Sequence, residues 1–132
     1  MAEPFKASLI TPEATVLETS ITGAQIPAYD GLVGVLNHRA PLLAKLGTGI
    51  LRLDTTAGSQ RFFVSGGYAQ MKGEELTILT AEAIAVEQIT PQMIDGEQAK
   101  LSAVQGVDLA AMERRRMLQD RITIMRRAQE TA

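Results

Sequence analysis

The sequence predicts an all-β domain, a sandwich or barrel, over residues 1–90 and an antiparallel pair of helices over residues 91–132. Three observations carry this. Apolar side chains alternate with polar ones at a period of two through the first part, as half-buried strands require. Gly- and Pro-containing turn signals divide those runs without any helical stretch between them, which points to strands pairing with strands. After Thr90-Pro91 the period changes to that of an amphipathic helix.

The strands read in order. Phe5, Ala7 and Leu9 alternate with Lys6 and Ser8, and Leu51 and Leu53 alternate with Arg52 and Asp54. Phe62, Phe63 and Val64 form a continuous apolar run, expected of a strand covered on both sides. Leu76 and Ile78 share one face, with Thr77 and Leu79 on the other. The turn signals are Thr11-Pro12, Tyr29-Asp30-Gly31, Ala57-Gly58-Ser59, Gly66-Gly67 and Lys72-Gly73-Glu74. Gly66-Gly67 lies inside an apolar stretch, so a bulge or sharp corner is expected there.

The helices follow. Thr90 is an N-cap with Pro91 in the first helical position, where a missing N–H costs nothing. Met93, Leu101 and Val104 are expected to line the buried side of the first helix, with Ile94 at its margin. Gly106 is the expected stop, and Asp108 caps a second helix reaching roughly Ala128, with Ala111, Leu118, Ile122 and Met125 as its apolar stripe. A loop this short makes the two helices an antiparallel hairpin, too small to be stable without packing against something else.

Composition narrows the classes. Aromatics are 4% of the 132 residues, so the core must come from Val, Ile, Leu and Met. With no Cys, disulfides and thiolate metal sites are excluded. No apolar run approaches the roughly 18 residues of a membrane span, so no direct membrane insertion is expected. The first residues read as neither a signal nor a transit peptide, and a bacterial cytoplasmic protein is the expectation. The net charge of −2 is unevenly placed: residues 1–90 hold six basic and nine acidic side chains, whereas residues 108–132 hold six Arg against four acids. That asymmetry directs the C-terminal segment toward something acidic.

Catalysis needs convergent reactive groups. His38 is the only His and lies in a turn-like stretch, one His with scattered carboxylates is not a metal cluster, and no phosphate-cradling loop is present. No enzyme, metal or cofactor is therefore expected. The net negative charge and the lack of aromatic platforms count against nucleic acid. On the second helix Arg115 and Arg126 fall on one side and Arg116 and Arg127 on an adjoining one, while Arg114 and Arg121 flank the apolar stripe. Two readings stand: a solvated face, or two Arg rows that meet a carboxylate-rich partner.

Several segments resemble the epsilon subunit of bacterial rotary ATP synthases, which corresponds to the mitochondrial delta subunit. Ile26-Pro27-Ala28-Tyr29-Asp30-Gly31-Leu32-Val33-Gly34-Val35-Leu36 is similar to that family's acidic-Gly-x-x-Gly-Ile/Val-Leu segment. Ala40-Pro41-Leu42-Leu43, Gly49-Ile50-Leu51-Arg52-Leu53, Ser65-Gly66-Gly67-Tyr68-Ala69-Gln70 and Leu76-Thr77-Ile78-Leu79-Thr80-Ala81 follow in the family's order. The resemblance implies a sandwich of about ten strands and a C-terminal helical hairpin. It implies a non-catalytic rotor subunit of the central stalk that binds the gamma subunit and rests on the membrane ring of c subunits, peripheral to the cytoplasmic face of the inner membrane. Tyr29, Asp30, Gly31 and Leu32, with His38 and Arg39, are the residues it assigns to the ring contact. It also implies that the Arg-bearing hairpin can meet the catalytic beta subunit and inhibit ATP hydrolysis. The remaining reading is a stand-alone sandwich adaptor that binds an acidic protein through its Arg-rich helix.

Two positions depart from the family pattern. Arg39 stands where the family carries His before Ala-Pro, and His38 is one residue early. The family's nucleotide motif, Ile/Leu-Asp-x-x-Arg-Ala, is matched by Ile94-Asp95-Gly96-Glu97-Gln98-Ala99, in which Gln98 replaces the Arg. That removes a charge-assisted phosphate contact worth about 1.5–3 kcal/mol, which counts against ATP sensing through this motif.

Overall fold

The computed structural model describes residues 3–131. The chain divides at Ala85/Val86 into two compact units.

The first unit contains ten strands: β1 (Phe5–Ile10), β2 (Thr15–Ile21), β3 (Gly23–Ala28), β4 (Gly31–Val35), β5 (Leu42–Lys45), β6 (Thr48–Thr55), β7 (Gly58–Ser65), β8 (Tyr68–Lys72), β9 (Glu75–Leu79) and β10 (Ala83–Ala85). They form two five-stranded sheets, one ordered β2-β1-β9-β8-β5 and the other β10-β7-β6-β3-β4. All pairings are antiparallel except β1 with β9. Of the two architectures the sequence left open, this is the sandwich.

Alternation decides which side of each strand faces inward. Phe5, Ala7 and Leu9 on β1, Leu51 and Leu53 on β6, Ala69 and Met71 on β8, and Leu76 and Ile78 on β9 are all buried in one cluster. Each fully buried aliphatic side chain contributes about 1.5–3 kcal/mol. Phe62, Phe63 and Val64 are buried together, as their continuous apolar run predicts.

The Gly66-Gly67 signal is a corner. β7 ends at Ser65 in one sheet, and β8 begins at Tyr68 in the other. Both glycines have positive φ, 71° and 108°. A Cβ on Gly67 would stand 1.9 Å from the Leu79 carbonyl oxygen, so the corner requires glycine twice over.

The second unit opens with a 3-10 turn, Val86–Gln88, then α1 (Pro91–Ala103) and α2 (Leu109–Thr131). Thr90 is extended, and its hydroxyl accepts the Met93 N–H at 3.2 Å, with Pro91 in the first turn. Asp108 caps α2 through Oδ1, which accepts from the Ala111 N–H at 3.0 Å. Gln129 Nε2 donates to the Ile89 carbonyl, tying the end of α2 to the segment before α1. Ala111, Leu118, Ile122 and Met125 are buried as the stripe predicts, and α2 continues past Ala128, which is buried too.

Two expectations for α1 need correction. Met93 is 41% exposed, and the buried positions are Ile94 and Glu97, with Gln98 and Leu101 half-buried beside them. The face of α1 is thus rotated by about one residue from the predicted one, and its centre is a carboxylate. The helix also stops early, with Val104 as the capping residue and its N–H bonded to the Leu101 carbonyl; Gly106, at φ 96°, serves the loop instead.

Candidate functional site

The residues singled out by sequence occupy three places. The first is the β3–β4 turn. Tyr29 and Leu32 are 74% and 64% exposed, and Asp30 and Gly31 are exposed with them. Gly31 takes a φ of 139° to start β4. The Tyr29 N–H donates to the Lys45 carbonyl at 2.7 Å, and the Lys45 ammonium lies 5.0 Å from the Tyr29 ring centroid. Tyr29, Asp30 and Leu32 are therefore exposed together at this turn, with the Lys45 cation of β5 over the Tyr29 ring.

The second place is the β4–β5 connection, which holds His38 and Arg39. It lies at the other end of β4, a strand whose five residues span roughly 16 Å. The six residues assigned to one contact thus form two groups at opposite ends of the sandwich. His38 is held at a φ of 65°, its N–H bonded to Asn37 Oδ1, while Asn37 Nδ2 donates to the Pro4 carbonyl. Arg39 Nε donates to the Gly34 carbonyl.

His38 Nε2 lies 2.6 Å from Glu3 Oε2. That hydrogen bond, and the charge of the Glu3 carboxylate behind it, raise the His38 pKa above the ordinary imidazole value. Glu3, His38 and Glu74 place one donor atom each within 4.8 Å of one another, all exposed. The carboxylates that looked scattered in sequence thus converge on the imidazole. Long-range pairing brings them there: β1 runs beside β9, so residue 3 ends next to the β8–β9 turn.

The third place is the helical unit. Two of the six Arg make contacts that tie parts of the unit together. Arg115 donates through Nη2 to the Gly106 carbonyl, fastening α2 to the loop. Arg121 reaches α1, where Glu97 Oε1 accepts from its Nη2 at 2.6 Å and its Nε at 3.2 Å. Arg114, Arg116, Arg126 and Arg127 are exposed. A cavity of about 450 Å³ lies between the helices, bordered by Lys100, Val104, Arg114 and Met117. The four positions matching the nucleotide motif are split around α1: Ile94 is buried and Gln98 half-buried, while Asp95 and Ala99 are exposed.

Sequence reading missed Glu97 as a functional residue. The available signal was its spacing, three after Ile94 and four before Leu101, which puts it on their face.

The fold so described is a two-sheet β-sandwich followed by a two-helix unit. The first unit matches the family model for the β-sandwich domain of the ATP synthase delta/epsilon chain, over residues 4–86. The chain belongs to that family. It is 36% identical over 105 residues to the ATP synthase epsilon chain of Rhodopirellula baltica, covering 80% of this chain and 78% of that one. It is 28% identical over 133 residues to the ATP synthase epsilon chain of Paramagnetospirillum magneticum, covering 100% of this chain and 98% of the relative. A chain in the cryo-EM structure of the Euglena gracilis mitochondrial ATP synthase superposes with a TM-score of 0.82 at 21% identity, over 95% of this chain and 81% of that one.

Proposed function

We propose that this chain is the epsilon-type central-stalk subunit of an ATP synthase, a non-catalytic protein that couples ion translocation through the membrane ring to ATP synthesis. The observation that carries this reading is the family match across the whole sandwich, joined to similarity that continues through the helical unit. Residues 1–90 act as the rotor-binding domain, attached to the gamma subunit and resting on the ring of c subunits. The subunit is peripheral, at the cytoplasmic face of the membrane; among the described residues no helix is long and apolar enough to cross one. A flat ring meets one end of the sandwich, and we assign it the β3–β4 turn, where the exposed Tyr29 and Leu32 stand beside Asp30 and Gly31.

Residues 91–132 act as a brake on ATP hydrolysis. The exposed Arg116, Arg126 and Arg127 face a carboxylate-rich segment of the catalytic beta subunit. Each exposed pair adds only about 0–1 kcal/mol, so the effect is collective and weakens with salt.

The test is a pull-down with the tagged chain at physiological salt. Gamma and the catalytic subunits should be retained in stoichiometric amounts, and capture without them would remove the stalk reading. Within the assembled enzyme, Asp30→Cys should cross-link to a cysteine in the polar loop of the ring, and His38→Cys should not. Truncation after Thr90 should raise hydrolysis, and Arg116→Gln with Arg126→Gln and Arg127→Gln should reproduce part of that rise. If truncation acts and the triple variant does not, the Arg side chains are a solvated face.

A further inference from the structure

The interior of the helical unit contains a feature that apolar packing does not require. Glu97 of α1 and Arg121 of α2 cross between the helices with side chains only 9% and 11% exposed. Glu97 Oε1 takes both hydrogen bonds from the guanidinium, and Oε2 is buried without a hydrogen-bond partner among the described residues. A buried pair recovers its desolvation cost only when every lone pair is satisfied, and here one carboxylate oxygen is not. The cavity of about 450 Å³ opens beside the pair, and Met112 and Met117 of α2 are half or more exposed.

We infer that Glu97–Arg121 is a charge latch on the hairpin. It holds α1 against α2 less firmly than an apolar pair at the same two positions would, and it is lost as a unit when either partner is removed. Breaking the pair loosens the helical unit and leaves the apolar core of the sandwich untouched. Buried charge pairs behave asymmetrically in this way. Removing one partner leaves an uncompensated charge in the interior, whereas replacing both with apolar side chains of similar volume is neutral or stabilising. The inference concerns the free chain, so it stands or falls independently of the stalk and brake readings.

The experiment is amide hydrogen exchange on the full chain. Glu97→Gln and Arg121→Met, each alone, should speed exchange at Leu101 and Ile122 by about 100-fold, in line with the cost of stranding a buried charge. Exchange at Leu51 and Ile78 should stay at the parent rate, because the sandwich is untouched. Glu97→Met combined with Arg121→Met should return exchange in both helices to the parent rate or below it. Single variants that exchange like the parent would overturn the latch. So would a double variant as fast as the singles, since the loss would then come from packing and not from unpaired charge.

Discussion

The sandwich and the helical unit both turn a face of their main elements inward, but they fill the space behind it differently. In the sandwich the positions that alternation directs inward are apolar, and they meet in a single cluster drawn from both sheets. In the helical unit the row that α1 turns toward α2 has a carboxylate at its centre, answered by an Arg and bordered by a cavity. A core closed by apolar contact on all sides has little freedom to rearrange. An interface with an ion pair among its apolar contacts can be weakened at one point. The difference lies in how each unit responds to change, and glycine substitutions sharpen it most.

The largest effect is expected at the corner between the sheets. Gly67→Ala places a Cβ 1.9 Å from the Leu79 oxygen and 2.8 Å from the Leu79 carbonyl carbon, at a φ of 108°. Leu79 belongs to β9, which is paired on both sides by β1 and β8, so it cannot withdraw. The substitution should cost more than about 4 kcal/mol, as severe backbone conflicts do. Urea denaturation followed by circular dichroism measures it. A midpoint equal to the parent's would mean that the corner yields, and the contrast between rigid sandwich and releasable hairpin would break.

A smaller effect of opposite sign is expected in the hairpin. Gly96 lies inside α1, is exposed, and has no atom within 4 Å of where a Cβ would stand. Gly96→Ala removes the glycine penalty in a helix and should stabilise the helical unit by about 1 kcal/mol. Amide exchange at α1 should slow by roughly five-fold, the equivalent of that energy. Exchange that is unchanged or faster would show that α1 needs a flexible position there, for which the structure offers no contact.

Much of this was legible in the sequence because it depends on short spacing. Phe5, Ala7 and Leu9 declare a strand face, Thr90-Pro91 declares a helix start, and Gly66-Gly67 declares a corner, each within a few residues. The stripe of α2 was legible for the same reason. The face of α1 was misread because Met93 is more hydrophobic than Glu97, and hydrophobicity alone cannot see that a partner 24 residues later neutralises a charge. The six residues that the family resemblance assigns to the ring contact include Tyr29 and Arg39, which are close in sequence. A strand lies between them, and a strand carries chain neighbours apart as effectively as a turn brings them together. The convergence of Glu3 and Glu74 on His38 depends on the parallel pairing of β1 with β9, and no local pattern encodes it.

The smallest effect tests the comparison at its charged pairs. Glu3–His38 is an ion pair of the sandwich with side chains 68% and 66% exposed, the counterpart of the buried Glu97–Arg121 pair. The hydrogen bond that His38 donates to Glu3 is the main cause of its raised pKa, the Glu3 charge is the next, and Glu74 adds a minor contribution. The sign follows from linkage. A raised folded-state pKa means that the folded chain holds the proton more tightly than the unfolded one. The stabilisation is fully present below the unfolded value, near 6.5, and is lost as the pH rises through the higher folded value. Because both groups are solvated, the change in stability across that window should be slight and should shrink with added salt. The sensitive measurement is the imidazole titration by NMR on the full chain. The His38 midpoint should lie above 6.5, Glu3→Gln should lower it, and Glu74→Gln should lower it less. Thermal stability should barely change in either variant, whereas either single change at Glu97–Arg121 should loosen its whole unit. A Glu3→Gln titration identical to the parent's would show that the exposed pair is not populated in solution. A large loss of stability in that variant would show that the sandwich, too, depends on a charge pair, and the distinction between the two units would then rest on packing alone.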